Sequence, residues 1–307
     1  MTELTDFQRK TEEIYPGISL RFWEPLEKHT SFRIGGPAEV MAFPKNSGEL
    51  GQLLNKSVLL DCKPVILGAG TNVLAPDEGL RGLVICLKDC LDGLARVDET
   101  HIRAMAGVTM TRLAMFAARE GLSGLEFAHG IPGSVGGGLY MNAGAYGGEI
   151  RQVAVRTEFL DQEGIHHTLE GEEQGFGYRK SAFMGTKRII TSAELCLESG
   201  AEAEITAKME DFMRRRREKQ PLELPSAGSV FKRPEGYFAG TLIEQCGLKG
   251  FAVGGACVSE KHAGFIVNKG GATCADVEAL IRAIQDTVFQ ATGVELEPEI
   301  RRISLSK

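Results

Sequence analysis

Apolar residues recur along the chain at two periods, one typical of helices and one typical of short strands. Helical spacing predicts helices over residues 5–15, over 47–56 behind a possible Ser47 cap, and over 109–120 with Gly121 at the C-cap position. These segments are mixed with short strands without a regular βαβ alternation, which indicates an α+β fold. Apolar runs predict strands at residues 41–44, 65–67, 83–87, 101–106 and 189–197, and a hairpin over 153–169 with its turn at 163–164.

The pattern changes near Gly200, where two longer helices are predicted. Residues 203–219 are typical of a charged helix that Pro221 ends, and residues 275–292 of an amphipathic helix followed by Gly293. We therefore expect a separate C-terminal region. Thr273 and Asp276 fit a capping box for the second helix, and its apolar face would comprise Val277, Leu280, Ile281, Ile284 and Val288.

Two glycine-rich loops each follow an apolar run, at residues 67–74 and 130–138. Glycine leaves room for backbone N–H groups to close around an anion, and it permits a positive φ. Neither loop contains the lysine that a nucleoside-triphosphate P-loop carries. Two such loops in one chain indicate a ligand with a long diphosphate, such as a dinucleotide, and hence a cofactor-dependent enzyme.

The length, charge and cysteine content indicate which classes of protein the chain can belong to. A chain of 307 residues exceeds one typical domain of about 100–200 residues, so we expect two or three domains. The net charge of −6 does not favour nucleic-acid binding. Seven scattered cysteines without a Cys-x-x-Cys pair indicate reduced thiols, and no metal site is expected. The acidic first residues and the lack of a long apolar run predict a cytoplasmic protein that makes no membrane contact.

Short motifs follow one another in a specific order over almost the whole chain. They are TSFRIGG (30–36), GAGTN (68–72), GIPG (130–133), NAGAYG (142–147), YRKS (178–181), QP (220–221), SAGSVFK (226–232), GLKG (247–250), SEKH (259–262) and LEPE (296–299). On these motifs the chain resembles the UDP-N-acetylenolpyruvoylglucosamine reductases, the MurB flavoenzymes of peptidoglycan precursor synthesis, in their shorter (type II) architecture.

The resemblance implies a fold and its cofactors. Two FAD-binding subdomains of the vanillyl-alcohol oxidase-like (PCMH) type would occupy residues 1–80 and 81–199. A UDP-sugar-binding α+β domain would occupy 200–307, with its last strand returning to the active site. NADPH and the UDP-sugar would use one site in turn, so no separate NADPH domain is expected. The implied FAD-binding residues are Arg33, Gly68, Ala69, Gly70, Thr71, Asn72, Gly130, Ile131, Pro132, Gly133, Ser134, Gly136, Gly137 and Asn142.

The resemblance also implies three catalytic residues for reduction of an enolpyruvyl ether to a lactyl ether. Hydride addition to the vinyl group leaves an enolate, and Arg179 would clamp its carboxylate because a guanidinium binds a carboxylate bidentately. Ser229 would protonate the α-carbon, with Lys232 as a possible supporting cation. Glu299 would donate beside the enolate with a raised pKa, because two anions in contact repel. Glu297 is interpreted as structural.

The four arginines at 214–217 fan across about 300° of a helix, at about 100° each, so they cannot form one basic stripe. We expect one or two of them to face the diphosphate of the substrate. Two positions depart from the family pattern: Gly138 stands where alanine is common, and Arg233 stands where asparagine is usual and a substrate contact is expected. The implied substrate-binding residues are Tyr178, Arg214 and Lys232.

Two other functions stay open from the residues alone. A flavin oxidase acting on another alcohol or ether would keep the glycine loops, but it has no need of Arg179, Ser229 and Glu299 together. A catalytically silent UDP-sugar sensor would keep the fold only. The presence of all three groups favours the reductase, which we expect to be a monomer.

Overall fold

The computed structural model describes residues 3–304. The chain divides into two compact units, each assembled from separate stretches of sequence. Unit 1 comprises Met1–Phe22, Val40–Ala69 and Gly82–Arg215, and unit 2 comprises Trp23–Glu39, Gly70–Arg81 and Arg216–Lys307. The predicted boundaries at residues 80 and 199 define a different, three-part division, which stays a prediction.

The described residues form α-helices and mostly short β-strands. The helices are α1 (Asp6–Ile14), α2 (Ser47–Ser57), α3 (Met110–Arg119), α4 (Val135–Met141), α5 (Glu202–Lys219), α6 (Ala239–Gln245) and α7 (Cys274–Thr292). The strands are β1 (Ser19–Pro25), β2 (Pro37–Phe43), β3 (Val65–Leu67), β4 (Val73–Leu74), β5 (Leu80–Cys86), β6 (Leu94–Arg96), β7 (His101–Met105), β8 (Leu122–Ser123), β9 (Gly144–Ala145), β10 (Gly148–Glu149), β11 (Ala154–Leu160), β12 (His166–Glu170), β13 (Ile189–Cys196), β14 (Glu198–Ser199), β15 (Ser226–Ser229), β16 (Ala252–Val253), β17 (Ala256–Val258), β18 (Phe265–Asn268) and β19 (Arg301–Arg302).

Unit 1 is built on an antiparallel sheet with strand order β12-β11-β13-β7-β6. Strands β11 and β12 are the predicted hairpin. Its turn is held by Asp161, whose Oδ1 accepts hydrogen bonds from Glu163 N at 3.0 Å and Ile165 N at 2.9 Å. A second sheet of order β1-β2-β5-β3 has most of its residues in this unit, with β3 parallel to β5. Helices α2 and α3 bury Leu50 and Leu113 in the common core, and α4 contacts β7 and β13.

Unit 2 is built on the antiparallel sheet β15-β18-β17-β16 and on helix α7. The predicted capping box is present, since the Thr273 side chain accepts from Asp276 N and the Asp276 side chain accepts from Thr273 N. The chain leaves the helix at Gly293, whose φ is +71°. The predicted apolar face of α7 is buried in one core with Phe32 and Ile34, which come from the early part of the chain. Unit 2 therefore depends on segments far apart in sequence.

The predicted helices and strands are confirmed to within a few residues, but the predicted cap of α2 is wrong. Ser47 is the first residue of the helix, and the cap is Asn46, which has an extended backbone and accepts a hydrogen bond from Glu49 N at 3.0 Å. No described helix is long and apolar enough to cross a membrane. Within residues 3–304, no group of three or more His, Cys, Asp and Glu side chains could hold a metal ion.

Candidate active site

The two glycine loops approach each other within unit 1. A Cβ built on Gly68 would lie 3.4 Å from Ser134 Oγ, so the start of the first loop passes close to the cap of helix α4. The backbone N–H groups of Gly68, Ala69, Gly133 and Ser134 donate to no other atom of the described residues 3–304. These unsatisfied donors, located at two adjoining loops, fit a bound anion such as the diphosphate of a dinucleotide.

Other amides of the second loop are already bonded within the protein. Gly136 N donates to Ala106 O at 2.9 Å, and Gly137 N donates to Ser134 Oγ at 3.4 Å. Gly130 N donates to Thr111 Oγ1 at 3.2 Å. Close packing requires glycine at Gly136, where a Cβ would lie 3.0 Å from Ala106 Cβ. The amides open to an anion cluster at Gly133 and Ser134. Ile131 N donates to Ala128 O, and Pro132 is exposed.

Unit 2 contains the remaining implied cofactor residues. Gly70 has a φ of +65°, and a Cβ there would lie 2.0 Å from His29 O, so only glycine fits. Arg33 is exposed and has a φ of +53°, in a turn held by Asn268, whose Nδ2 donates to Phe32 O at 3.1 Å. Thr71 is half-buried.

Arg179 stands in a tight turn of unit 1. Gly177 and Lys180 pair across the turn, with N–O distances of 3.0 and 3.1 Å. Arg179 occupies its third position with a φ of +52°, in the left-handed region that favours glycine or asparagine. Its Nη2 donates to Gly144 O at 3.4 Å, and its guanidinium carbon lies 5.3 Å from the ring centre of the half-exposed Tyr178. A strained residue of this kind is typical of a functional site.

Two side chains fasten this turn to the last residues of helix α4. Asn142, which caps the helix, donates from Nδ2 to Gly177 O at 2.9 Å. Ser181, at the other end of the turn, donates from Oγ to Tyr140 O at 2.7 Å. Helix α4 therefore carries part of the anion-binding loops at its N-terminus and the Arg179 turn at its C-terminus.

Ser229 lies at the end of β15 in unit 2, where the register with β18 shifts. Gly228 precedes it with a φ of +79°, which lets the chain turn there. Ser229 Oγ lies 3.4 Å from both Phe231 O and Gly264 O, so it is held by long hydrogen bonds only. His262 accepts from Gly264 N at 3.1 Å, and burial lowers its pKa. The neighbouring imidazole is therefore neutral at pH 7 and supplies no cation to Ser229.

Glu299 is brought beside Ser229 by main-chain pairing. Its N donates to Val230 O at 2.6 Å, and its carbonyl accepts from Asn72 Nδ2 at 3.3 Å. Lys232 N donates to Glu297 O at 2.8 Å, and the Lys232 ammonium forms an ion pair with the Glu297 carboxylate. The structure thus pairs the main-chain segment after Ser229 with residues 297–299, to which Asn72 is also bonded. The Lys232 ammonium is paired with Glu297, which is consistent with a structural role for Glu297.

The four arginines at 214–217 lie on different faces of helix α5, as the helical periodicity predicts. Arg214 is exposed and paired with Asp211, while Arg216 is only 5% exposed. The sequence contains the signal, because Arg216 continues the helical spacing of the buried Ile205, Met209 and Phe212. Arg214, the predicted substrate contact, is thus an exposed member of the run, and Arg216 is the buried one.

The chain is similar to known proteins along most of its length. A model for an FAD binding domain matches residues 38–170, and one for the C-terminal domain of UDP-N-acetylenolpyruvoylglucosamine reductase matches 220–303. A UDP-N-acetylenolpyruvoylglucosamine reductase of Caldanaerobacter subterraneus subsp. tengcongensis is 46% identical over 295 residues, which cover 95% of this chain and 96% of that protein. The chain belongs to the UDP-N-acetylenolpyruvoylglucosamine reductase family.

Other members of the UDP-N-acetylenolpyruvoylglucosamine reductase family agree over nearly their full length. The Streptococcus pneumoniae protein is 42% identical, covering 98% of this chain and 99% of that protein. The crystal structure of the Thermus caldophilus reductase superposes with a TM-score of 0.78 at 35% identity, covering 93% of this chain and 98% of that one. The predicted α+β fold and the predicted class, an FAD-dependent oxidoreductase, are therefore confirmed.

The structure shows the surroundings of the two positions, 138 and 233, that depart from the expected family pattern. A Cβ on Gly138 would lie 2.8 Å from Met110 Sδ, so alanine there requires the methionine to move. Arg233 stacks its guanidinium over Phe238, 3.9 Å from the ring centre. At this position a cation–π contact on the protein surface replaces the amide that the family usually carries.

Proposed function

We propose that this protein reduces UDP-N-acetylglucosamine enolpyruvate to UDP-N-acetylmuramate with NADPH, a step that supplies peptidoglycan precursors. The observation that carries the proposal is the main-chain bond between Glu299 N and Val230 O. It brings the implied donor Glu299 next to the implied proton donor Ser229. A sensor or an oxidase acting on another substrate has no need of the segment of Glu299 paired with the segment of Ser229.

FAD fits the chain because the free N–H groups of Gly68, Ala69, Gly133 and Ser134 form a place for its diphosphate. In unit 2, Arg33 and the residues from Gly70 to Asn72 are the further candidates for FAD contacts that the family resemblance implies. When bound, FAD supplies two-electron chemistry, accepting a hydride from NADPH and delivering it to the terminal vinyl carbon of the substrate.

The side chains of the protein then stabilise the negative charge of the enolate and supply one proton to the α-carbon. Arg179 binds the substrate carboxylate and stabilises the enolate that hydride addition creates. Ser229 Oγ gives its proton to the α-carbon, so hydride and proton together convert the enolpyruvyl ether into the lactyl ether. Glu299 must be protonated to stand beside the enolate, and it donates a hydrogen bond to it. Solvent returns the proton to Ser229.

We further propose how the substrates are held. Arg216, rather than Arg214, is our candidate for the diphosphate of the UDP-sugar, because Arg216 is only 5% exposed and a charge in such weakly screened surroundings attracts an anion strongly. Tyr178 and Lys232 remain candidates for substrate contacts. NADPH and the sugar nucleotide bind in turn, which gives ping-pong kinetics. We propose that the enzyme is a cytoplasmic monomer.

A visible absorption experiment tests the proposed function. The purified protein should be yellow, should bleach with anaerobic NADPH, and should recover its colour on addition of the enolpyruvyl sugar nucleotide. Bleaching without recovery would retain the flavoenzyme but exclude this substrate. A colourless protein that FAD does not reconstitute would overturn the proposal as a whole.

A further inference from the structure

We propose that Asn142 is a positioning residue for Arg179, acting through the carbonyl of Gly177, rather than a contact of the cofactor. The inference rests on the proposed function, since it assigns the way in which the carboxylate clamp is held in place. It begins from the fact that Asn142 is completely buried and uses its whole amide within unit 1.

Each polar atom of the Asn142 side chain has a partner at 2.9 Å. The two hydrogens on Nδ2 go to Glu149 Oε2 and Gly177 O, and Oδ1 accepts from Arg151 N. The Glu149 carboxylate also pairs with the Arg151 side chain, so the three residues form a closed hydrogen-bonded set. With both hydrogens donated, Asn142 has none left to give to a ligand.

The turn that carries Arg179 requires stabilising hydrogen bonds such as the one from Asn142 to Gly177 O. Arg179 has a φ of +52°, a conformation that costs a non-glycine residue free energy and persists only when the surroundings impose it. The Asn142 bond fixes the first residue of the turn, and the Ser181 bond to Tyr140 O fixes the residue after it. Both bonds reach the end of helix α4, so the helix sets where the guanidinium stands.

Asparagine suits position 142 for two reasons. Its own φ is +44°, which asparagine tolerates better than most residues, and its amide offers two donors and an acceptor at one point. Glycine at this position keeps the backbone conformation and removes all three bonds. Asn142→Gly therefore separates the tethering function from the backbone requirement.

The test compares holoenzyme variants in binding and in the two half-reactions. The variants are Asn142→Gly, Arg179→Gln and the double variant, with Tyr15→Phe as the matched control. Tyr15 is also buried in unit 1 and donates to a backbone carbonyl, Leu53 O at 2.9 Å, in the N-terminal part of the chain. Binding is titrated with UDP-N-acetylmuramate, which has the carboxylate, and with UDP-N-acetylglucosamine, which lacks it.

We expect Asn142→Gly to weaken binding of UDP-N-acetylmuramate about tenfold and to leave binding of UDP-N-acetylglucosamine within about twofold, since only the carboxylate meets Arg179. Flavin reduction by NADPH should be unchanged, and reoxidation by the enolpyruvyl substrate should slow about tenfold or more. The double variant should resemble Arg179→Gln alone, because Asn142 acts through that side chain. Tyr15→Phe should lower the melting temperature without any of these effects.

Losses that multiply in the double variant, or equal weakening of both sugar nucleotides, would overturn the proposal. If Asn142→Gly does not fold, Ser181→Ala loosens the same turn from its other end and should give the same selective, non-additive loss; an unselective loss there would also overturn it. Failure of the proposed function is seen separately, as a wild-type enzyme that the enolpyruvyl substrate does not reoxidise.

Discussion

The two units hold their candidate site residues by different means. In unit 2, Ser229 and Glu299 are brought together by backbone hydrogen bonds between Val230, Lys232 and the segment 297–299. In unit 1, Arg179 stands on a strained turn that side chains of Asn142 and Ser181 attach to helix α4. Residues positioned by main-chain hydrogen bonds keep their places when a side chain is replaced. Arg179, positioned by side-chain hydrogen bonds, should move when Asn142 or Ser181 is replaced.

The largest effect is expected at Ser229. Because the residues around it are positioned by backbone hydrogen bonds, replacing its side chain should slow the reaction without disturbing the structure. Ser229→Ala removes only hydrogen bonds of 3.4 Å, and the backbone bonds that hold Glu299 remain. Reoxidation of the flavin by substrate should slow about 100-fold or more, the scale of losing a catalytic donor, with reduction by NADPH intact. Stopped-flow absorbance measures both steps. If both half-reactions keep their rates, Ser229 is not the proton donor.

A second comparison concerns carboxylates that tether loops in each unit. Glu126 is 4% exposed and accepts from Ser123 Oγ at 2.7 Å and Gly124 N at 3.0 Å, just before the second glycine loop. Glu126→Gln should lower the free energy of unfolding by about 2 kcal/mol, because bonds to a buried charged group are lost. Asp77→Asn in unit 2 changes an exposed carboxylate that accepts from Cys274 N and Ala275 N at the start of helix α7, and it should lower the free energy of unfolding by about 1 kcal/mol. Urea unfolding of both variants measures the difference, and equal losses would contradict it.

The same carboxylate gives a pH dependence. Burial alone would raise the pKa of Glu126, but hydrogen bonds and the nearby Lys208 outweigh it, so the pKa is lowered in the folded state. The stabilisation is therefore present above the unfolded-state pKa of about 4.3 and is lost as the pH falls through the folded-state pKa. Unfolding of the wild type should lose more free energy between about pH 5 and about pH 3 than unfolding of Glu126→Gln. Parallel curves would exclude this contribution.

At position 179 the backbone strain can be measured separately from the carboxylate clamp. Glycine accepts a φ of +52° without strain, so Arg179→Gly should be about 1 kcal/mol more stable than Arg179→Gln, although both lose the carboxylate clamp. Comparing these two variants isolates the backbone, because the guanidinium is absent from both. Thermal unfolding is the measurement, and a less stable glycine variant would show that the turn is not strained at this residue.

The smallest effect on the free energy of unfolding is expected for Gly138→Ala, in helix α4. Alanine gains about 1 kcal/mol of helix propensity, but its Cβ would lie 2.8 Å from Met110 Sδ. Because methionine is flexible, we expect the two effects to offset each other to within about 0.5 kcal/mol. Chemical denaturation would reveal a rigid pocket around Met110 if the loss exceeded about 2 kcal/mol.

The sequence predicted the elements whose signals are local. Helix α7 is an example, because Thr273, the apolar face and Gly293 all lie within or beside it. The family motifs also led to Ser229 and Glu299, which the structure brings together. The sequence did not reveal that Asn142 reaches Gly177, since that bond joins residues 35 positions apart. The signal that separates Arg216 from Arg214 is in the sequence, but it is weak, because it consists only of the helical spacing from Met209 and Phe212.

The order of the segments along the chain has a consequence for synthesis on the ribosome. Phe32, Ile34 and Leu74 belong to the core of unit 2, yet most of that core, including Val277 and Ile284 of helix α7, is translated near the end. The early apolar segments must therefore wait, without their native covering, until some two hundred further residues have emerged. A prematurely terminated chain would leave these side chains exposed, which makes the nascent protein a substrate for chaperones and truncated copies prone to aggregation.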